Sequence, residues 1–209
     1  MRSVDEAGKP MKAQMTRIAD CAEVLPGYAL KARAEHEPGG TYQGILGKHL
    51  SEGPTYHFQA AHELRIVPKG PVDKYRVSPG DVLFVSRGSR NIAARVASVP
   101  EPTVASATFY ILHPHEDVDA GYLAWCLNQA PIQAQIGQVR TGAGTPIVQR
   151  KVFADITIPV PPLEKQHQLA DLAELMAKEQ QIRRALVEET NKYHRALGQR
   201  LLHKLAAEH

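Results

Sequence analysis

Cysteine is nearly absent: Cys21 and Cys126 are the only two in 209 residues, far apart and without metal-ligand spacing. That excludes a disulfide framework and a cysteine-based zinc site, and leaves two buried thiols as the expectation. Long apolar runs are missing too. The longest stretches are a few residues, against about 20 for a bilayer-spanning helix, and no apolar secretory segment opens the sequence, so a soluble, cytoplasmic chain without a membrane partner is expected. Acidic residues are absent from Ala120 to Ala154 and scarce from Leu64 to Pro100, where Arg65, Lys69, Lys74, Arg76, Arg87, Arg90 and Arg95 face only Asp73 and Asp81. With a net charge of only +3, the basicity is local. Such clusters suit a polyanion like the nucleic-acid backbone, because each neutralised phosphate releases condensed counterions; a solvated surface with scattered cations is the competing reading.

Signatures of catalysis are missing as well. Gly44 to His49 contains a Gly-Lys pair, but the upstream glycine of a phosphate-binding loop is absent and His49 stands where a hydroxyl residue would hold magnesium. His113 and His115 with Glu116 and Asp117, or His57 with His62, lack the spacing of a ligand set, so they read as solvated loop histidines and no metal is expected. No nucleophile–base pair or acidic metal cluster stands out, no cofactor is implied, and the chain reads as non-catalytic.

What is present divides the chain in two. Residues 1–14 are polar and aperiodic and are expected to form a disordered lead. From 15 to 162, short β-like runs broken by Gly and Pro (Leu64–Val67, Asp81–Val85, Ile92–Val99, Thr103–Leu112, Ala154–Val160) surround one short helix, Asp119–Asn128, with Tyr122, Leu123, Cys126 and Leu127 on one face and Pro131 as its stop. Ile132 and Ile136 suggest a further helical turn. This is an α+β pattern. Ile158-Pro159-Val160-Pro161-Pro162 then ends it, since prolines oppose both ladder pairing and helix continuation, and Pro161 and Pro162 suit the pre-helical and first helical positions. Residues 163–209 contain no proline and only Gly198. One long helix is expected there, with Leu169, Leu172, Ile182, Leu186, Tyr193, Leu197, Leu201 and Leu205 recurring mainly at threes and fours as a seam that must be buried on another helix, as a coiled coil or bundle. A hairpin folding back near Gly198 or around Lys178 to Gln181 is the alternative. Glu188 and Glu189 read as a solvated face or as intersubunit ion pairs.

Three stretches carry a resemblance to a known family: Val77-Ser78-Pro79-Gly80-Asp81-Val82-Leu83-Phe84 with Arg87-Gly88; Tyr122-Leu123-Ala124-Trp125-Cys126-Leu127-Asn128; and Thr141-Gly142-Ala143-Gly144-Thr145-Pro146-Ile147 leading into Ile158-Pro159-Val160-Pro161-Pro162-Leu163-Glu164-Lys165-Gln166. In order and spacing they resemble the specificity subunits of type I restriction-modification systems. The resemblance implies a target recognition domain that reads a few base pairs of double-stranded DNA. It also implies a spacer helix that docks DNA adenine methyltransferase subunits, with or without an endonuclease/translocase subunit. The chain does not resemble the methyltransferase itself: Pro161-Pro162 lacks the preceding Asn or Asp and the following aromatic residue, and no Gly-rich methyl-donor loop follows a strand. Usual members carry two recognition domains and two spacer helices, whereas no internal repeat occurs here. The expectation is a half-length member that pairs through its helix, either with itself, giving a palindromic target with an unread gap, or with a different half, giving an asymmetric one.

Base reading needs polar and cationic side chains on loops held by a rigid scaffold. Ser86-Arg87-Gly88-Ser89-Arg90-Asn91 fits, with Arg87 and Arg90 suited to guanine and Asn91 to adenine; an exposed polar hairpin turn is the plainer reading. The loop Gln138 to Thr145 offers Arg140, Thr141, Thr145 and uncrowded backbone N–H groups for phosphate, or simply joins helix to strand. Thr41-Tyr42-Gln43-Gly44 with Lys48-His49 is a third, weaker candidate, flanked by Glu35, Glu37 and Glu52. The rival from another class is a helical assembly or scaffold protein that does not bind DNA.

Overall fold

The computed structural model describes residues 13–30, 36–50 and 53–207. Most of the expected N-terminal lead lies outside them; Gln14 already belongs to a strand. The chain divides into two units, residues 1–171 and 172–209. In the first, β1 (Gln14–Arg17) and one turn of helix α1 (Ile18–Cys21) lead into β2 (Ala22–Pro26), followed by β3 (Tyr42–Ile45), β4 (Thr55–His57), β5 (Arg65–Ile66), β6 (Val82–Val85), β7 (Ala93–Ser98), β8 (Thr103–Ala105) and β9 (Phe109–Pro114). Next come α2 (Ala120–Leu127), α3 (Ala130–Gln138), the short strands β10 (Arg140–Thr141) and β11 (Ile147–Val148), α4 (Arg150–Ala154) and β12 (Thr157–Val160). Helix α5 (Leu163–Ala207) begins in the first unit and constitutes the described part of the second, with no hairpin.

The main sheet has the order β2-β9-β6-β7-β4, antiparallel except for the β4–β7 pair. Its central strand β6 is buried at every position because both faces are covered, which is why Val82-Leu83-Phe84-Val85 reads as an unbroken apolar run. Val82 and Phe84 pack with α2, α3 and α4 residues such as Leu123, Ile136 and Phe153, the Phe84 and Phe153 rings stacking at 4.1 Å. Leu83 and Val85 join Ile45, Tyr56, Val77 and Phe109 on the other face. A three-stranded sheet, β5-β3-β8, carries a smaller cluster around Leu64, Ile66 and Val104.

Several expectations change. The run Thr103–Leu112 is not one strand: a turn at Ser106 to Thr108 sends β8 and β9 into different sheets. Residues 150–154 are helical, so the strand expected from Ala154 begins at Thr157. Pro159 lies within a paired strand, opposite Met15 of β1, because a two-stranded ribbon leaves one side of each strand free and a missing N–H there costs nothing. Asp119 caps α2 by accepting from Tyr122 N–H at 2.7 Å, and Pro131 sits in the first turn of α3 rather than stopping α2. Both Pro161 and Pro162 precede α5, whose first turn closes on the Pro162 carbonyl. Cys21 and Cys126 are buried free thiols, their pKa values pushed up to about 11 by burial.

Candidate nucleic-acid interface

Antiparallel pairing of β6 with β9 and β7 brings the loop after Val85 to one end of the main sheet, beside the start of β9. The loop is tied there. Thr108 O accepts from both the N–H and the Oγ–H of Ser86, at 2.8 and 2.9 Å. Asn91 Nδ2 donates to Val85 O at 2.9 Å, and Gln133 Nε2 donates to Asn91 O at 2.8 Å. Ser86 and Asn91 are therefore buried. Their side chains hold the loop's ends and do not face outward, so the role of adenine reader imagined for Asn91 has no geometric support. Arg87, Ser89 and Arg90 between them are exposed, and among the described residues neither arginine forms an ion pair.

The second candidate loop is a hairpin, β10–β11, and it packs against the first. Val148 N–H donates to Ser86 O, Gly88 N–H to Pro146 O, and Arg87 bridges Ile147, so the two loops form a continuous patch. Arg140 Nη1 donates to Ser89 O at 2.9 Å. Thr141 and Thr145 are exposed on the hairpin, and Gly142 turns it at φ +103°, a left-handed conformation that suits glycine. Tyr110 braces the hairpin from below, its OH donating to Val148 O at 2.6 Å; burial pushes its pKa up while the neighbouring Arg150 and Arg87 charges oppose the rise. Arg150 and Lys151, exposed at the start of α4, add cations that the sequence already displayed after the Gly-rich loop.

Of the third candidate, Gln43 and His49 are interior. Gln43 accepts from Leu64 N–H and donates to His62 O; His49 Nδ1 accepts from Leu46 N–H, and burial holds its pKa down at about 4. Lys48 is exposed on the 3-10 turn Gly47–His49 after β3. Gly47 lies against Thr108, where a Cβ would meet Thr108 Cγ2 at 3.3 Å, so this turn reaches the same end of the sheet as the other two. Elsewhere, His113 pairs with Asp81 at 2.6 Å and His115 contacts Asp20 O at 3.2 Å.

The sequence model described as "Type I restriction modification DNA specificity domain" matches residues 10–185. The chain belongs to this family. A curated relative is the type I restriction enzyme MjaVIII specificity subunit of Methanocaldococcus jannaschii, 24% identical over 163 residues, or 78% of this chain and 35% of the relative. Among solved structures, the type I restriction-modification S subunit from M. genitalium matches with a TM-score of 0.59 at 14% identity, over 92% of this chain and 46% of that one. The HsdS subunit from Thermoanaerobacter tengcongensis gives 0.57 at 17%, over 85% and 40%. The specificity-domain chain thus spans about a third of the curated relative's length, and the structural likenesses establish its fold. Among its described residues no helix is long and apolar enough to cross a membrane.

Proposed function

We propose that this specificity domain reads DNA sequence through the patch formed by the two linked loops and directs a DNA adenine methyltransferase, with or without an endonuclease/translocase subunit, to the site it reads. Arg87 and Arg90 read base edges, Lys48, Thr141 and Thr145 contact the phosphate backbone, and the chemistry belongs to the partners. The observation that carries this reading is the convergence of two exposed arginines, without an ion pair among the described residues, and two hydroxyl residues on loops whose backbones are fixed by the sheet and by each other. Fixed backbone matters because bidentate recognition of a base tolerates little misplacement. The seam on α5 supports pairing with a second helix, from another copy or a different half: Leu172, Ile182, Leu186, Tyr193, Leu197, Leu201 and Leu205 are all exposed, from 41% at Leu197 to 66% at Leu186. Leu169 packs on the core of its own domain and is not part of that seam.

The test is to purify the chain with whatever methyltransferase subunits co-purify and titrate duplex DNA at rising salt. Affinity is expected to fall steeply, with log K linear in log salt. Binding that ignores salt would remove the phosphate contacts from this reading, and no binding in the presence of a methyltransferase would leave the helical scaffold reading in its place.

A further inference from the structure

We infer that Arg140 is a positioning residue that latches the reading loop, and is not itself one of the DNA contacts; its functional consequence rests on the DNA-reading assignment above. The first half of the loop is fixed by hydrogen bonds to the hairpin through Ser86 and Gly88, and its last residue by the Asn91 amide and Gln133. Ser89 and Arg90 lie between these anchors. Among the described residues their one hydrogen bond is the donation from Arg140 Nη1 to Ser89 O. The same guanidinium lies over Gly137 in the last turn of α3, where a Cβ would meet Nη2 at 3.3 Å. A cation is favoured there, beside the unsatisfied carbonyls that end a helix. Arg140 thus joins three elements, the end of α3, β10 and the loop, and Gly137 leaves the space that lets it do so. Arg90 follows the latched carbonyl directly, so its guanidinium is presented from an ordered backbone and less freedom is lost on binding.

Two variants separate the latch from a charge effect. Arg140→Ala removes both the hydrogen bond and the cation; Gly137→Val displaces the guanidinium and keeps the cation. Trypsin cleavage after Arg87 and Arg90, followed on the full chain without DNA, is expected to quicken on the order of tenfold in both variants, because the loop opens more often. Unchanged cleavage in both overturns the latch. In parallel, each protein selects from a pool of randomised duplexes at several salt concentrations. Both variants are expected to lose discrimination on the order of tenfold with the salt slope retained. A slope reduced by about one in Arg140→Ala alone, with Gly137→Val matching the parent chain, marks Arg140 as a phosphate contact and overturns the inference. If the parent chain selects no sequence, the DNA-reading assignment fails while the cleavage comparison still decides the latch.

Discussion

Within residues 86–91 the polar side chains divide by what they engage. Arg87 and Arg90 face outward without an ion pair among the described residues, whereas Ser86 and Asn91 complete hydrogen bonds to the backbone of their own domain. Substitution should therefore act on different observables. Arg87→Ala and Arg90→Ala are expected to keep the fold and each cost about 1–3 kcal/mol of base discrimination, measured as the affinity ratio between the selected site and a variant of it. Asn91→Ala deprives a buried carbonyl of its donor and is expected to lower stability by about 1–3 kcal/mol, seen as a shift of the urea midpoint. His113 makes stability depend on pH. Its hydrogen bond to Asp81 is the main cause that raises its pKa, opposed by burial. A folded value above the unfolded one, about 6.5, means that the pair's contribution is complete below that pH and disappears as pH rises through the raised value. The melting-temperature gap between the parent chain and His113→Gln should accordingly shrink on going from about pH 6 to about pH 8.

Among the elements, the first turns of α5 are fixed by one buried amide. Gln166 Oε1 accepts from Asp119 N–H at 2.9 Å, and its Nε2 donates to Asp117 O and Pro161 O at 2.9 and 2.8 Å, so the residue ties the helix start to the cap of α2. Gln166→Ala leaves three backbone groups without that partner and is expected to destabilise the domain by about 2–3 kcal/mol in urea titration; an unchanged midpoint would mean that water replaces the amide fully. The sequence displayed the helix itself, because no proline interrupts it, and it displayed β6 and α2 through an unbroken apolar run and a capped apolar face. It did not display Gln166's role, since one glutamine among several polar helix residues carries no sign of the loop it will meet. Nor did it show that β1 pairs β12 across the whole domain, or that Thr103–Leu112 splits between two sheets, because apolar alternation does not encode which distant strand supplies the ladder. At the candidate interface the cationic loops were legible as residues without acidic neighbours. Their convergence was not, and neither was the inward turn of Asn91: the first depends on Pro146 and Val148 of the hairpin meeting Gly88 and Ser86, the second on Val85 O and on Gln133 of α3, which is tertiary information.

For the molecule as a whole, pairing through the exposed seam of α5, as proposed, would decide what kind of DNA target is possible. Leu186 lies within that seam and is 66% exposed, and the charged residues around it pair along the helix, as Arg183 does with Glu179 and Lys192 with Glu188 and Glu189. Those ion pairs lie within one helix and leave the apolar stripe exposed. Leu186→Glu would place a charge in the middle of the proposed helix–helix contact and is expected to convert a paired species into single chains, read by sedimentation. If two copies pair antiparallel, the domains preceding the two helices are related by a two-fold axis, and the DNA they read must show the same symmetry: an inverted repeat separated by bases that neither reads. Mapping the adenines methylated when this chain is expressed with a methyltransferase, and with no other specificity chain, tests this directly. A two-fold symmetric pair of half-sites is the expected pattern. An asymmetric site under those conditions is incompatible with self-pairing, since two identical readers related by a two-fold axis cannot select two different half-sites.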